Sequence, residues 1–476
     1  MKNKFYITTP IYYVNDRPHI GHAYTTIAAD VSARYHRTKG EDVIFLTGTD
    51  ENSQKTVEGA KKSGEDVKTY ADRLAAIWKS TWEALNIGNT DFIRTTEERH
   101  VKTVQEIWKR IWDNGDIYKG KYEGLYCKGH EAFMKEVDLV DGVCSDHKTK
   151  PEWIAEDNYF FKLKKYEKDL LKLYGDNPNF VTPEGRFHEV KSFVERGLED
   201  ISISREKQEW GIPVPNDNKH VIYVWFDALI NYISAIGIDG WQKHPADVHA
   251  IGKDIIRFHA VIWPAMLMSA KLPLPKRIVT NGFFTIDGVK ISKSLGNAID
   301  PLDLAKKYGV DALRYFLLRE IPYGEDGDFS EVKLKERYNA DLANGLGNLV
   351  ARVATLGEKV SPIKYNYTHP LHKLLKEAHE EYDYKISTFR FDEALEIGWK
   401  RIAQSDAALS VDQPWYKEGS ERAEKILSRC IELVIITDLL EPFLPETAQK
   451  IKDQISYDRT NKVFHIKKTE NLFPRK

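Results

Sequence analysis

The chain opens on a run of apolar, aromatic and β-branched positions from Lys4 to Tyr13 (KFYITTPIYY), closed by Asn15, Asp16 and Pro18. That pattern predicts a strand followed by a turn. From Gly21 to Lys39 the apolar positions Ala23, Ile27, Ala28, Val31 and Tyr35 recur at helical spacing. EDVIFLTGTDEN then reads as a short buried strand with a polar end, and Val67 to Leu85 as a second helix. DFIRTT and the helical stretch from Val101 to Trp112 continue the alternation. Strand, helix, strand, helix implies parallel strands joined by right-handed crossovers.

Near Lys119 the period is lost, and cysteine and histidine appear in pairs. The strand-and-helix pattern returns at KHVIYVWFDALINYISAI and again at VHAIGKDIIRFHAVIWPAML. Residues 118–215 are therefore expected to be an insertion between two halves of one sheet domain. RIVTNGFFTIDGVKISKSLGN predicts two strands around an IDG turn and then a polar loop. Past Glu331 the pattern is helical to near the end, and Pro442 and Pro445 stop one long amphipathic helix. The expected division is 1–117 and 216–275 for the two halves of the sheet domain, 118–215 for the insertion, 276–332 for the lysine-rich segment and 333–476 for a helical bundle.

Composition narrows the class. With 476 residues the chain exceeds one ordinary domain, and 42% hydrophobic with 30% charged residues fits a globular enzyme rather than a disordered chain. A net charge of −2 gives no global sign of nucleic acid, so any RNA must find local basic patches. Cys127, Cys144 and Cys430 are the only cysteines, which argues against a disulfide scaffold and for a reducing, cytoplasmic setting. No apolar run approaches the ~20 residues of a membrane span, and no signal-peptide core precedes the first strand.

Two short stretches carry chemistry. PHIGH, from Pro18 to His22, lies where the first strand gives way to the first helix. In a doubly wound sheet ligands bind there, and a helix N-terminus points N–H groups at an anion. Gly21 would let a nucleotide lie against the backbone. His19 and His22 share a face of the first turn and can donate to phosphate oxygens. From these residues alone, phosphate contact, ordinary surface histidines and a metal pair all stay open. KISKS places Lys290, Ser292, Lys293 and Ser294 in one loop, where mobile ammonium groups and hydroxyls suit a departing pyrophosphate. The plain alternative is a solvated charged loop.

The two stretches in this order resemble the signature of the class I aminoacyl-tRNA synthetases. ITTPIYYVNDRPHIGHAYT, FLTGTDEN, YEGLYC, SISR, WGIPVP, VWFDALINY, GKDIIRFHAVIWPAML and GVKISKSLGN together resemble the methionyl-tRNA synthetase family over nearly the whole chain. The resemblance implies an α/β fold: a Rossmann-like doubly wound parallel sheet, split by a small zinc-knuckle insertion and followed by an α-helical anticodon-binding bundle. It also implies ATP-dependent activation of methionine to methionyl-adenylate and transfer to tRNA(Met). In that chemistry positioning and charge stabilisation act without a side-chain nucleophile. His19 and His22 would hold the ATP phosphates in the transition state. Lys290 and Lys293 would stabilise pyrophosphate, and Mg²⁺ would accompany ATP. Lys253 and Asp254 would line the nucleotide side, with Asp254 as a ribose acceptor.

Asp50 resembles the family's partner for the substrate ammonium, although its position equally suits a helix N-cap. Ile11, Tyr13, Trp225, Ala228, Leu229, Tyr232, Phe258, His259 and Trp263 would form the amino-acid pocket, where a thioether against aromatic rings gains ~0.3–1.5 kcal/mol per contact. The alternative is that these aromatics are ordinary core. The insertion is too small for the editing modules that branched aliphatic substrates require.

Cys127, His130, Cys144 and His147 form CxxH…CxxH, a legal set for one tetrahedral zinc. A zinc-free remnant is the alternative, since the family usually carries more cysteine there. Asn348, Arg352 and Trp415 match residues with which the family reads a CAU anticodon, by stacking and edge contacts. Two departures are Asn52-Ser53 where the family often has His-Gly, and Ile291 where methionine is commonest in the lysine loop. The absence of a further C-terminal domain leads to the expectation of a monomer. The rivals are a cysteinyl or other class I synthetase and a non-catalytic tRNA-binding paralog.

Overall fold

The structure, a computed structural model, describes residues 3–127, 132–134, 139–144, 148–206, 208–286, 288–290, 298–365 and 371–476. The chain forms two compact units. One comprises residues 1–17, 41–83 and 89–280, the other residues 18–40, 84–88 and 281–476.

The first unit is an α/β layer built on β1 (Lys4–Tyr13), β2 (Asp42–Asp50), β3 (Asp91–Arg94), β4 (Val181–Thr182), β5 (Val248–Gly252) and β6 (Ile278–Asn281), in the order β3-β2-β1-β5-β6-β4. β1 runs parallel to β2 and β5, β2 to β3, and β6 to β4. Both faces of the central strands are buried, which is why β1 and β2 read as nearly continuous apolar runs. Pro10 has no N–H to give, and the β1–β2 register shifts between Thr8 and Ile11. Gly48 lets β2 approach its neighbour, because a Cβ there would stand 2.0 Å from the Ile93 carbonyl oxygen. The core joins Tyr6, Leu46 and Ile93 to Trp108, Phe161, Phe226, Trp241 and Trp263. With β2 on one side of β1 and β5 on the other, the topological switch point falls between β1 and β5, where such sheets bind ligands.

The strand expected to resume the sheet at KHVIYV, from Lys219, takes a different place. Asp217–Ile222 is extended, but it pairs antiparallel with Ser204–Arg205 and Pro213–Val214 in a separate three-stranded sheet. Only its last three residues are buried, and alternation alone does not choose a partner strand. The sheet resumes instead at Val248. The edge strand β4 comes from residues between the two halves.

The second unit contains α1 (Ile20–Thr38) and the helices of the chain's last third, among them Val310–Glu320, Asn348–Gly357, Phe391–Asp412 and Gly419–Leu440. Inside it, the buried Asp30 of α1 pairs with Arg314, whose guanidinium also donates to the Phe443 and Pro442 carbonyls. The C-terminal region is mainly helical, as expected, and also holds a small sheet of Ile363–Lys364, Ile455–Asp458 and Val463–Ile466. No helix among the described residues is long and apolar enough to cross a membrane.

Candidate active site

The residues expected to meet an amino acid come from four places along the first unit. Ile11 and Tyr13 end β1, and Asp50 ends β2 opposite Tyr13 in the register. Trp225, Ala228 and Leu229 lie on α2 (Val224–Leu229), and Tyr232 on α3 (Asn231–Ser234). Phe258 and His259 sit in a π-helical turn, Phe258–Ile262, that leads into α4 (Trp263–Ser269). Pro264 has no N–H to return to Ala260, and the wider turn absorbs that break in the helix.

These residues form a continuous aromatic wall. Tyr13 meets Trp225 edge-on with ring centroids 6.4 Å apart, and Trp225 stacks on Phe258 at 3.8 Å. Tyr232 meets Trp263 at 5.9 Å and His259 at 5.8 Å. Ala228, Leu229, Tyr232, His259 and Trp263 are buried, while Ile11, Tyr13, Trp225 and Phe258 are half-buried against the core. Asp50 is buried.

Hydrogen bonding fixes the protons of this wall. His259 Nδ1–H donates to the Ile255 carbonyl at 3.0 Å, so Nε2 must accept, and it does so from the Tyr232 hydroxyl at 2.7 Å. The Tyr232 proton is thereby committed to His259. Sequence reading missed a second buried histidine, His249 of β5. Its Nε2 accepts from the Trp263 indole N–H at 3.2 Å, which leaves Nδ1–H to meet Thr8 Oγ1 at 2.7 Å. Both rings are neutral. Burial pushes His259 down to about 4. Burial, reinforced by His259, holds His249 well below the usual histidine range. Burial also raises the Tyr232 phenol. The wall is thus uncharged and apolar, with its polar atoms satisfied from behind.

At the end of β2 the chain is pinned from all sides. The buried Glu51 carboxylate accepts from Arg94 at 2.6 and 3.0 Å, from Thr96 and from Thr49. Its carbonyl accepts from the Trp210 indole at 2.8 Å. Asn52, which departs from the family pattern, donates from Nδ2 to Asp227 Oδ2 at 2.8 Å and to the Thr95 carbonyl at 3.2 Å. Lys253 and Asp254 follow β5 directly at its carboxyl end, Lys253 half-buried and Asp254 exposed.

In the second unit, α1 begins with a cap made by two histidines. His19 Nδ1 accepts from Gly21 N–H at 3.1 Å, and His22 Nδ1 accepts from His19 N–H at 3.2 Å. The rings stack with centroids 3.7 Å apart. A backbone N–H can only donate, so in each neutral ring the proton sits on Nε2. Gly21 gives the cap room, since a Cβ there would lie 3.0 Å from His19 Cε1. The first turn carries no acidic residue, which suits an anion at this helix end. Lys290 ends a two-residue strand paired with Thr285. Its side chain, and all of Ser292, Lys293 and Ser294, lie outside the described residues.

Asn348 is exposed at the start of its helix, and Arg352 lies one turn on. The Arg352 guanidinium sits 5.5 Å from the Trp415 ring centroid and bonds Asp406 at 2.5 Å. The structure therefore brings Arg352 and Trp415 together at the surface.

Cys127 and Cys144 are buried thiols at the ends of Ile117–Cys127 and Val143–Cys144. His130 and His147 lie outside the described residues. Among the described residues no cluster of three or more metal-ligating side chains occurs.

Comparison with known proteins fits this geometry. The family described as tRNA synthetases class I (M) matches residues 5–144 and 134–354. A methionine–tRNA ligase of Thermotoga maritima is 45% identical over 99% of this chain and 78% of its own length. One from Rickettsia felis is 43% identical over 98% of this chain and 94% of its own. The chain belongs to the methionyl-tRNA synthetase family. A solved Mycobacterium tuberculosis methionyl-tRNA synthetase in complex with methionyl-adenylate superposes with a TM-score of 0.92 at 38% identity, covering 99% of this chain and all of that one. The PHIGH and KISKS stretches indicated the class and the wider set of stretches the family, and membership makes the chain a class I aminoacyl-tRNA synthetase.

Proposed function

We infer that this chain is a methionine–tRNA ligase, which joins L-methionine to ATP as methionyl-adenylate and passes the acyl group to the 3′ end of tRNA(Met). The aromatic wall carries the reading. It is a neutral, apolar wall with its histidine and tyrosine protons committed, and Asp50 ends the strand beside Tyr13. An unbranched thioether gains from such rings without needing a hydrogen bond, and a carboxylate beside them suits an ammonium group.

Within this reading Ile11, Tyr13, Trp225, Ala228, Leu229, Tyr232, Phe258, His259 and Trp263 hold the side chain and Asp50 the amine. Lys253 and Asp254 take the nucleoside side. His19 and His22 offer Nε2–H donors to phosphate, with Gly21 keeping the turn open. Lys290, Ser292, Lys293 and Ser294 act on the pyrophosphate of Mg²⁺-bound ATP. Asn348, Arg352 and Trp415 read the CAU anticodon. The catalytic sheet domain takes 1–117 and 216–281, later at its end than the 275 expected because Ile278–Asn281 is one of its strands. The insertion 118–215 lends it the edge strand Val181–Thr182, the lysine-loop segment runs from the end of the sheet domain to 332, and the anticodon-binding region is 333–476. Cys127, His130, Cys144 and His147 fit one structural zinc by donor type, and metal analysis of the purified chain tests it. The reading extends to a monomeric cytoplasmic enzyme, with light scattering as the check on mass.

The deciding experiment is pyrophosphate–ATP exchange with each of the twenty amino acids, without tRNA. Exchange with methionine alone is expected. Exchange driven by another amino acid would overturn the specificity, and none at all would overturn the activity.

A further inference from the structure

Behind the aromatic wall lies a second polar system that the proposed chemistry does not use. His100 belongs to the helix Glu98–Asp113 and is fully buried, as is Asp227 of α2. His100 Nε2 meets Asp227 Oδ1 at 2.5 Å, and its Nδ1 meets Ser234 Oγ of α3 at 2.9 Å. The other Asp227 oxygen accepts from Asn52 Nδ2 at 2.8 Å. Asn52 is itself tied to the Thr95 carbonyl after β3, while its own carbonyl accepts from Gln208. Asn52, Asp227 and Ser234, linked through His100, thus join three segments that each carry part of the proposed pocket. Asn52 follows Asp50. Asp227 stands between Trp225 and Ala228. Ser234 lies two residues past Tyr232.

We propose that His100, Asp227 and Asn52 are positioning residues that set the affinity for the amino acid by fixing the end of β2 against α2 and α3. This rests on the methionine reading above. A carboxylate fully removed from water needs donors on both oxygens, and His100 and Asn52 are those donors. Two short helices of six and four residues have little stability of their own. Their orientation must come from such ties. Because the bonds are buried, a shift at Asn52 is passed to both helices rather than absorbed by solvent. A plain core role would lower stability without distinguishing one substrate from the other. A positioning role moves the methionine KM and leaves the ATP KM in place.

The test is steady-state pyrophosphate exchange by the full chain. Asn52→Ala is expected to raise the methionine KM about tenfold, with the ATP KM held within about twofold. Asn52→Asp sets two carboxylates face to face and is expected to raise it further. Adding Asp227→Asn to that variant restores one donor and one acceptor across the gap and is expected to recover most of the loss. His100→Gln, which retains a donor for Asp227, gives an independent reading if a variant at position 52 does not fold. Two results overturn the inference: methionine and ATP KM values that rise together, or a lowered melting temperature with unchanged kinetics. A double variant no better than Asn52→Asp overturns the pairing. If the unaltered chain shows no methionine-dependent exchange, the parent reading fails first.

Discussion

The aromatic wall of the sheet unit and the Arg352–Trp415 surface of the helical unit are made of similar parts, aromatic rings with polar partners, but burial puts them to opposite uses. In the wall, Tyr232, His259 and Trp263 are no more than 1% exposed, and every proton has one place to go. At the surface, Trp415 is 37% exposed and the Arg352 charge faces a partly exposed carboxylate. A buried hydrogen bond is strong and costly to break, so it fixes shape before any ligand arrives. An exposed ion pair is worth little and can be exchanged for a ligand. The first region suits a small apolar side chain, and the second suits the splayed bases of the proposed anticodon role, which bring their own charge and stacking.

The comparison breaks most sharply at Trp263. Trp263→Ala removes a fully buried indole and the donor to His249, and is expected to cost about 3–5 kcal/mol of stability in denaturant unfolding, with methionine-dependent exchange lost. A loss under about 1 kcal/mol would show that the wall collapses freely and is not preorganised.

Acid sharpens the same contrast. An unfolded histidine titrates near 6.5, whereas His259 is held down to about 4. Between those values the unfolded chain takes up the proton first. The contribution of His259 to stability is therefore intact above about pH 6.5, falls as pH drops toward 4, and levels off below it. His249, pushed further down, extends the loss to lower pH. The expected result is a melting temperature that falls steadily from pH 7 to 4, a fall diminished in a His259→Asn variant. Tyr232→Phe is milder. It leaves His259 Nε2 without its donor, and is expected to cost about 1–3 kcal/mol and to raise the methionine KM more than the ATP KM.

What could be read from sequence divides along the same line. The helix predicted from Gly21 to Lys39 is Ile20–Thr38, and the one from Val67 to Leu85 is Val67–Ala84, because a long apolar stripe records its own period. The parallel strands at KFYITTPIYY and VIFLTGTD were legible for the same reason. The two-residue strand β4 leaves no period at all, and Asp217–Ile222 is extended but pairs elsewhere. Within the site, only Tyr13 of the aromatics ends a strand; Trp225, Tyr232, Phe258 and Trp263 lie on short helices and turns, and the family resemblance rather than any period singled them out. His249, which fixes Trp263, gave no signal, because a histidine inside an apolar strand looks like any core residue. The Asn52–Asp227 bond joins residues 175 apart, and no local pattern announces such a partner. The capping of α1 by two imidazoles was likewise hidden, since His is not a usual N-cap.

The smallest expected effect on stability lies at Arg352, and it is the one that separates the regions cleanly. Its partner Asp406 has a side chain 40% exposed and is rehydrated when the guanidinium is removed. Arg352→Ala should therefore change unfolding stability by less than about 1 kcal/mol. Exchange with methionine and ATP should be unchanged, because that step uses no tRNA. If Arg352 has the proposed anticodon role, aminoacylation should weaken through the KM for tRNA by roughly tenfold, since the cation beside Trp415 is lost. The tRNA effect should shrink as salt rises, because part of it is phosphate-range electrostatics. Were Arg352→Ala to lower stability as much as Tyr232→Phe, the surface would be a structural clamp rather than a patch kept open for RNA. The contrast between a closed wall and an exchangeable surface would then fail at its exposed end.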